Sequence, residues 1–196
     1  MTVGARPVAG GERDAVAAML ARTFADDPAF SWIYPDPEDR ARRLPRLFRL
    51  FLQTDQSAGM TLATEGGEAA TLWRAPGRAR STRLEMLRQA LPLWRALGPN
   101  ARRAFAVGDA IEAHMPAQPF WYLHVAGCDP VHQGRGLGGA TVRAGLSRAA
   151  GRLPCYLETA TEANLGLYAR LGFAVTGEWR VPRGGPRFWS MLRPAG

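Results

Sequence analysis

The stretch Gln133-Gly134-Arg135-Gly136-Leu137-Gly138-Gly139 constrains the fold of this chain more than any other. It lies between an apolar, aromatic run from Phe120 to Cys128 and a segment of helical periodicity from Leu137 to Gly151. The run reads as a strand covered on both faces. Glycine takes positive φ without strain, so successive backbone N–H groups of such a turn can converge on one point. The helix after it adds its partial positive charge, and Arg135 a full one. This is a cradle for pyrophosphate; the bland alternative is a glycine-rich turn with no ligand. Pro154 to Thr159 reads as a second strand, and strand–helix–strand at this spacing predicts a parallel βαβ unit. Ala163 to Leu171 comes next as a short helix, then Phe173 to Arg180 as a third strand and Arg187 to Leu192 as the last.

The earlier part of the chain reads as mostly helical. Val16, Met19, Leu20 and Phe24 share one face of a helix starting near Glu12 to Asp14. Asp26 to Pro37, rich in acids, prolines and aromatics, is expected to be a loop. A second helix turns Leu44, Leu47, Phe48, Phe51 and Leu52 inward, and Pro45 is expected to confine its regular part to the residues after the proline. Met60–Thr64 and Ala69–Trp73 flank Gly66-Gly67 as a β-hairpin. Residues 82–113 read as helical with a break around Leu97 to Asn100. With no repeat and no linker, one domain over residues 1–196 is expected.

Composition excludes several chemistries. All 25 basic residues are arginine, so a P-loop lysine and any Schiff-base mechanism are ruled out. A net charge of +8 suggests nucleic acid, but the arginines are dispersed and no nucleic-acid partner is expected. No apolar run approaches the ~18 residues that span a bilayer, and the first residues lack a signal-peptide layout, so a cytoplasmic protein without a membrane partner is expected. Cys128 and Cys155 make no disulfide scaffold. His114, His124 and His132 show no ligand spacing, and no metal is expected.

Gly134, Gly136 and Gly139 formally satisfy G-x-G-x-x-G, with Glu158 about 20 residues on, as in dinucleotide-binding folds. Against this, Asp129 to Gln133 separate strand and first glycine where that turn is tighter, and too little sequence remains after Gly139 for a doubly wound sheet. A second pattern fits better. Gln133-x-x-Gly136-x-Gly138, preceded by Asp129-Pro130, resembles the acetyl-coenzyme A motif of the GCN5-related N-acetyltransferases (GNAT). Asn164-x-x-x-Tyr168-x-x-x-Gly172-Phe173 resembles a second motif of that family. Trp121-Tyr122-Leu123, Leu157-Glu158-Thr159, Phe24-Ala25-Asp26-Asp27-Pro28 and Leu72-Trp73-Arg74-Ala75-Pro76 are similar to its puromycin N-acetyltransferase branch.

The resemblance implies an α/β GNAT fold: a mixed, mostly antiparallel twisted sheet with a splayed parallel strand pair and helices on both faces. Residues 118–193 would bind acetyl-coenzyme A and 1–117 would form the acceptor side. It implies an acetyl-CoA-dependent N-acetyltransferase that acts by direct attack on a primary amine of a small molecule, an aminonucleoside or antibiotic-like amine, as monomer or homodimer. A non-catalytic acyl-CoA sensor or scaffold is the alternative.

Main-chain groups of Gly127 and Cys128 would meet the pantetheine arm, and Gln133, Gly134, Arg135, Gly136, Leu137, Gly138 and Gly139 the pyrophosphate. Asn164 would bond the arm or only cap a helix. Tyr168 would be the general acid, or core packing. Glu158 would be the general base, or a carboxylate fixing local structure. His124 is the second candidate base, or a hydrogen-bonded core histidine. The Cys128 thiol itself reads as a small buried hydrophobe. Asp26, Asp27, Trp32, Tyr34 and Trp73 cluster where relatives wall the acceptor; carboxylates with aromatics suit a cationic amine, the alternative for each residue being a capped loop with core aromatics.

Overall fold

The computed structural model describes residues 4–80, 83–149, 151 and 153–195. The first half runs β1 (Ala5–Pro7), α1 (Arg13–Thr23), α2 (Pro28–Ile33), α3 (Pro37–Ala58), β2 (Gly59–Thr64), β3 (Ala69–Arg74) and α4 (Arg83–Leu97). The second runs α5 (Ala101–His114), β4 (Trp121–Cys128), α6 (Leu137–Arg148), β5 (Cys155–Thr159), α7 (Leu165–Arg170), β6 (Ala174–Arg180) and β7 (Arg187–Arg193). One sheet of order β1-β2-β3-β4-β5-β7-β6 joins all the strands. Only β4 and β5 pair in parallel; every other neighbouring pair is antiparallel.

Strand alternation makes two main cores, with a smaller cluster of Phe120, Tyr122 and Tyr156 besides. On one face Trp73, Leu123, Leu157 and Met191 pack with Val142 and Leu146 of α6 and with Tyr168, Leu171 and Phe173 around α7. On the other, Leu72 and Val125 pack with Leu20 of α1 and Leu44, Phe48 and Leu52 of α3. Helices therefore cover both faces of a mixed sheet, as the sequence implied. No helix among the described residues is long and apolar enough to cross a membrane.

Several expected boundaries change. The acidic loop at 26–37 contains α2, because the Asp27 side chain accepts from the N–H groups of Ala29 and Phe30 at 2.9 and 3.2 Å, with Pro28 at the first helical position. Helix α3 does not start after Pro45 but runs through it from Pro37, with Asp36 as its cap. Pro45 leaves only the carbonyl of Ala41 without its partner, and exposed Ala41 can be hydrated while the apolar side holds the helix in place. Strand β1 was not anticipated. Helix α6 ends at Arg148 rather than Gly151; Ala150, and Thr82 at the start of the expected 82–113 helices, lie outside the described residues.

Helix α6 is pressed onto the sheet through Trp73. This side chain is fully buried, and a Cβ built on Gly145 would come within 2.4 Å of its indole. Gly145→Ala is expected to lower stability by about 1–3 kcal/mol, read as an earlier urea midpoint; an unchanged midpoint would mean that Trp73 does not set the helix-to-sheet spacing.

Candidate active site

The glycine loop takes the backbone its composition demands. Gly134 and Gly136 have φ of +78° and +76°, in the left-handed region, and Gly136 caps α6 with no side-chain hydrogen bond to the helix. A Cβ on either would meet nothing within 4 Å, so this side of the loop is open. The first amides of α6 have no intrahelical acceptor. Gln133 donates its Nε2 to the carbonyl of Cys128 at 3.2 Å, tying the loop back to the end of β4. Arg135 is exposed, while Gly139 is buried, and a Cβ built on it would lie 3.5 Å from Leu167 of α7.

Between β4 and β5 the register consists of Trp121 with Cys155 and Tyr122 with Tyr156, and then ends. From Leu123 onward β4 remains paired with β3 but has lost β5, so its other edge is free over the residues that lead to Cys128. Gly127 is also a packing residue: a Cβ there would lie 2.6 Å from Leu20, so its absence lets α1 lie against β4. Burial pushes the Cys128 thiol up from its ordinary value, which does not favour a nucleophilic thiolate.

Glu158 sits just beyond the last parallel pair. Its Oε1 accepts from the Tyr122 hydroxyl across the mouth of the gap, and its Oε2 is buried with no partner among the described residues. Burial pushes this carboxyl up to about 8, against the Tyr122 hydrogen bond and the charge of Arg74. Tyr168, on α7, belongs to the core on the opposite face of β5, edge-on to Phe173 at 6.0 Å. Burial, then the charges of Glu158 and Asp27, push the Tyr168 phenol up to about 12, so it stays protonated at neutral pH. Among the described residues its hydroxyl has no hydrogen-bond partner. Asp27 joins the group through Thr161, whose hydroxyl lies 3.4 Å from Asp27 Oδ2. Asn164 precedes α7 but makes no side-chain cap bond, which leaves its amide available.

His124 is brought in by a feature that no sequence pattern announced. Trp73 pairs with Leu123 and Leu72 with Val125, so His124 is the extra residue of a β-bulge. Its imidazole turns toward α3, 4.7 Å from the ring of Phe51, and its Nδ1 lies 2.6 Å from Oδ2 of Asp55. Asp55 is fully buried, and its Oδ1 accepts from Arg74 Nε at 2.6 Å. Burial pushes the Asp55 carboxyl up, but His124 and Arg74 outweigh it and hold the group below its ordinary value. Asp55, Arg74 and Tyr122 were not singled out from the sequence as site residues. One signal was present: Asp55 continues the apolar side of α3 four residues after Phe51, where a carboxylate needs a partner.

The other expected acceptor residues divide. Trp32 is half-buried beneath the guanidinium of Arg103, 5.7 Å from its ring centre. Asp26 is fully exposed beside Arg40. Tyr34 and Trp73 are wholly buried, in different cores; the Tyr34 hydroxyl is spent on the Ala96 carbonyl at 3.3 Å. Both support the walls and neither presents a surface to a ligand.

Residues 99–173 match the family model described as the acetyltransferase (GNAT) family. The fold superposes on a structure titled histone acetyltransferase HPA2 and related acetyltransferase from Corynebacterium glutamicum, with TM-score 0.76, 26% identity, and 100% of this chain against 98% of that one. The chain has the fold of the GNAT acetyltransferases. A polyamine N-acetyltransferase of Drosophila melanogaster, which forms N-acetylagmatine, aligns with TM-score 0.65 at 17% identity over 96% of this chain and 98% of that one. The NatC complex bound to Gag peptide and CoA aligns at 0.55 and 13%, each chain covered in full.

GNAT proteins use acetyl-CoA, and the residues present fit it: two left-handed glycines with open space beyond them, a helix N-terminus, and a strand edge stripped of its neighbour. Folding raises the Glu158 carboxyl from 4.5 to about 8, so between those values the folded chain keeps a proton that the unfolded chain has released. Stability from this group is therefore greatest below the lower value and is lost as pH rises through the upper one. The melting temperature of Glu158→Gln, relative to the unmodified protein, is expected to climb between about pH 5 and about pH 9. A constant difference across that range would contradict the raised value.

Proposed function

We propose that this protein transfers the acetyl group of acetyl-CoA to a primary amine of a small molecule, by direct attack within a ternary complex and without an acyl-enzyme. The observation that carries the reading is the early end of the β4–β5 ladder, followed by a glycine loop with two left-handed residues; Glu158 and Tyr168 lie on opposite faces of β5.

Bound acetyl-CoA supplies an acetyl group already activated as a thioester. The amides from Gly134 to Gly138 and Arg135 would hold its pyrophosphate, and Asn164 and the free edge of β4 its arm. Main-chain N–H groups of that edge would polarise the thioester carbonyl. Glu158, on the acceptor side, would in its ionised form take a proton from the attacking nitrogen; a carboxyl near 8 is a stronger base than an ordinary glutamate, and its ionised share grows as pH rises toward that value. Tyr168, kept neutral, would give its hydroxyl proton to the departing sulfur.

The acceptor is a cationic amine on a flat or apolar body. Its ammonium would meet Glu158 and Asp27, and its body Phe24, Phe30 and Phe51, each of which packs edge-on or tilted against Phe48. An aminonucleoside or antibiotic-like amine is the finer form of this reading, supported by the likeness to the puromycin N-acetyltransferase branch.

Calorimetric titration with acetyl-CoA, run beside NADH, tests the cradle, and a thiol-release screen of polyamines, arylalkylamines and aminonucleosides tests the transfer. Saturable binding of acetyl-CoA alone is expected; heat from NADH instead would sink the assignment. Tyr168→Phe and Glu158→Gln should each lower kcat by about 100-fold while acetyl-CoA affinity stays within a few-fold. Unchanged turnover in both variants would remove them from the chemistry.

A further inference from the structure

We propose that Asp55 is a positioning residue that fixes the tautomer of His124, and that His124 Nε2 is the exit for the proton an ammonium acceptor must shed before it attacks. The inference rests on the acetyl-transfer reading above.

An ionised carboxylate only accepts hydrogen bonds, so at 2.6 Å from Asp55 Oδ2 the Nδ1 atom of His124 carries hydrogen in both charge states of the ring. Nε2 is left as the nitrogen that gains and loses a proton. It has no partner among the described residues, yet it is not among the sealed polar atoms, so it keeps contact with solvent. Asp55 is itself immobilised: Arg74 holds its other oxygen at 2.6 Å, and Arg74 is anchored by donating to the Ala79 carbonyl at 3.1 Å. The imidazole lies on the side of the sheet that carries Tyr122 and Glu158; the Tyr122 ring is 5.4 Å from it and bonds Glu158 through its hydroxyl. The charged and titratable groups facing His124 are thus Asp55 from α3, Arg74 from β3, Tyr122 on its own strand, and Glu158 from β5 beyond Tyr122.

The protons balance with two groups at work. An ammonium acceptor loses two protons on becoming an amide. His124 Nε2 takes the first, forms an imidazolium beside the Asp55 carboxylate, and passes it to solvent. The second leaves the nitrogen as the N–C bond forms and the C–S bond breaks; Glu158 takes it and later gives it to solvent, while Tyr168, on the other face of β5 and having given its proton to the sulfur, regains one from solvent. One proton is released per turnover, and the enzyme is restored. This division suits a Glu158 that already holds a hydrogen bond from Tyr122 and stands away from bulk solvent on Oε2.

The test has two independent arms. Nitrogen-15 NMR of the unliganded protein reads the tautomer directly: protonated Nδ1 and bare Nε2 are expected above the ring's titration, with the preference lost in Asp55→Asn. The opposite tautomer in the unmodified protein overturns the positioning role. In the kinetic arm, His124→Gln should lower kcat/KM for the amine by about 100-fold and remove one ionisation from its pH profile. Asp55→Asn should lower kcat/KM for the amine toward the level of His124→Gln, while KM for acetyl-CoA is unchanged. A folded Asp55→Asn with the unmodified kcat/KM for the amine overturns the proposal. Should Asp55→Asn fail to fold, recovery of His124→Ala turnover by added imidazole supports the proton exit, and its failure to respond refutes it. Absence of thiol release by the unmodified protein with every amine defeats the acetyl-transfer reading and the proton-exit role together, and the NMR arm still decides what Asp55 does to the ring.

Discussion

A hydrogen-bond ladder that stops early governs the rest of this molecule. β4 and β5 begin as parallel neighbours at Trp121 and Tyr122, and the remaining length of β4 keeps only β3. A buried backbone polar group left without a partner costs about 1–3 kcal/mol, so a strand edge exposed inside a domain is a demand for something to bind there. The sheet tolerates the opening because its other joints are intact: β5 is fully paired with β7 over its whole length, and β7 with β6. The gap is thus held open by rigid neighbours on both sides, which is what an inserted, extended ligand requires.

Two buried carboxylates beside this opening have opposite fates. Asp55 has a cation or imidazole on each oxygen and remains ionised despite complete burial. Glu158 has a hydroxyl on one oxygen and no partner among the described residues on the other, and burial raises it instead. Paired charge is a fixed structural element, whereas an unpaired carboxyl near neutrality can exchange a proton. Alternation along β5 turns Leu157 toward Tyr168 and α7, and Glu158 toward Tyr122, so the residues proposed as proton donor and acceptor stand on opposite faces.

Much of the chain after residue 118 was legible because its requirements are local. A left-handed backbone needs glycine, and Gly134 and Gly136 adopt it; a helix start needs no long-range information, and α6 begins at Leu137. Strand and helix periods after residue 120 likewise reproduced β4 to β7 within a residue or two at most ends. The chain before it was less legible. Trp32, Tyr34 and Trp73 look alike as aromatics flanked by polar residues and prolines, yet one supports Arg103 and two are sealed in separate cores. Aromatic side chains serve packing and binding equally well, and only the position of the neighbouring helix decides between them.

The amino-acid sequence by itself determined the elements and the cradle: glycine spacing, apolar periodicity and the absence of lysine are properties of the chain read in order. What only the tertiary structure decided is which side chains share the gap. Asp55 reaches His124 across 69 positions and Tyr122 reaches Glu158 across 36, and neither meeting is implied by local spacing. Both depend on a bulge of one residue in β4 and on the point at which β5 peels away. Such features arise from how sheet and helices pack as a whole, since a one-residue shift in register turns a side chain to the other face.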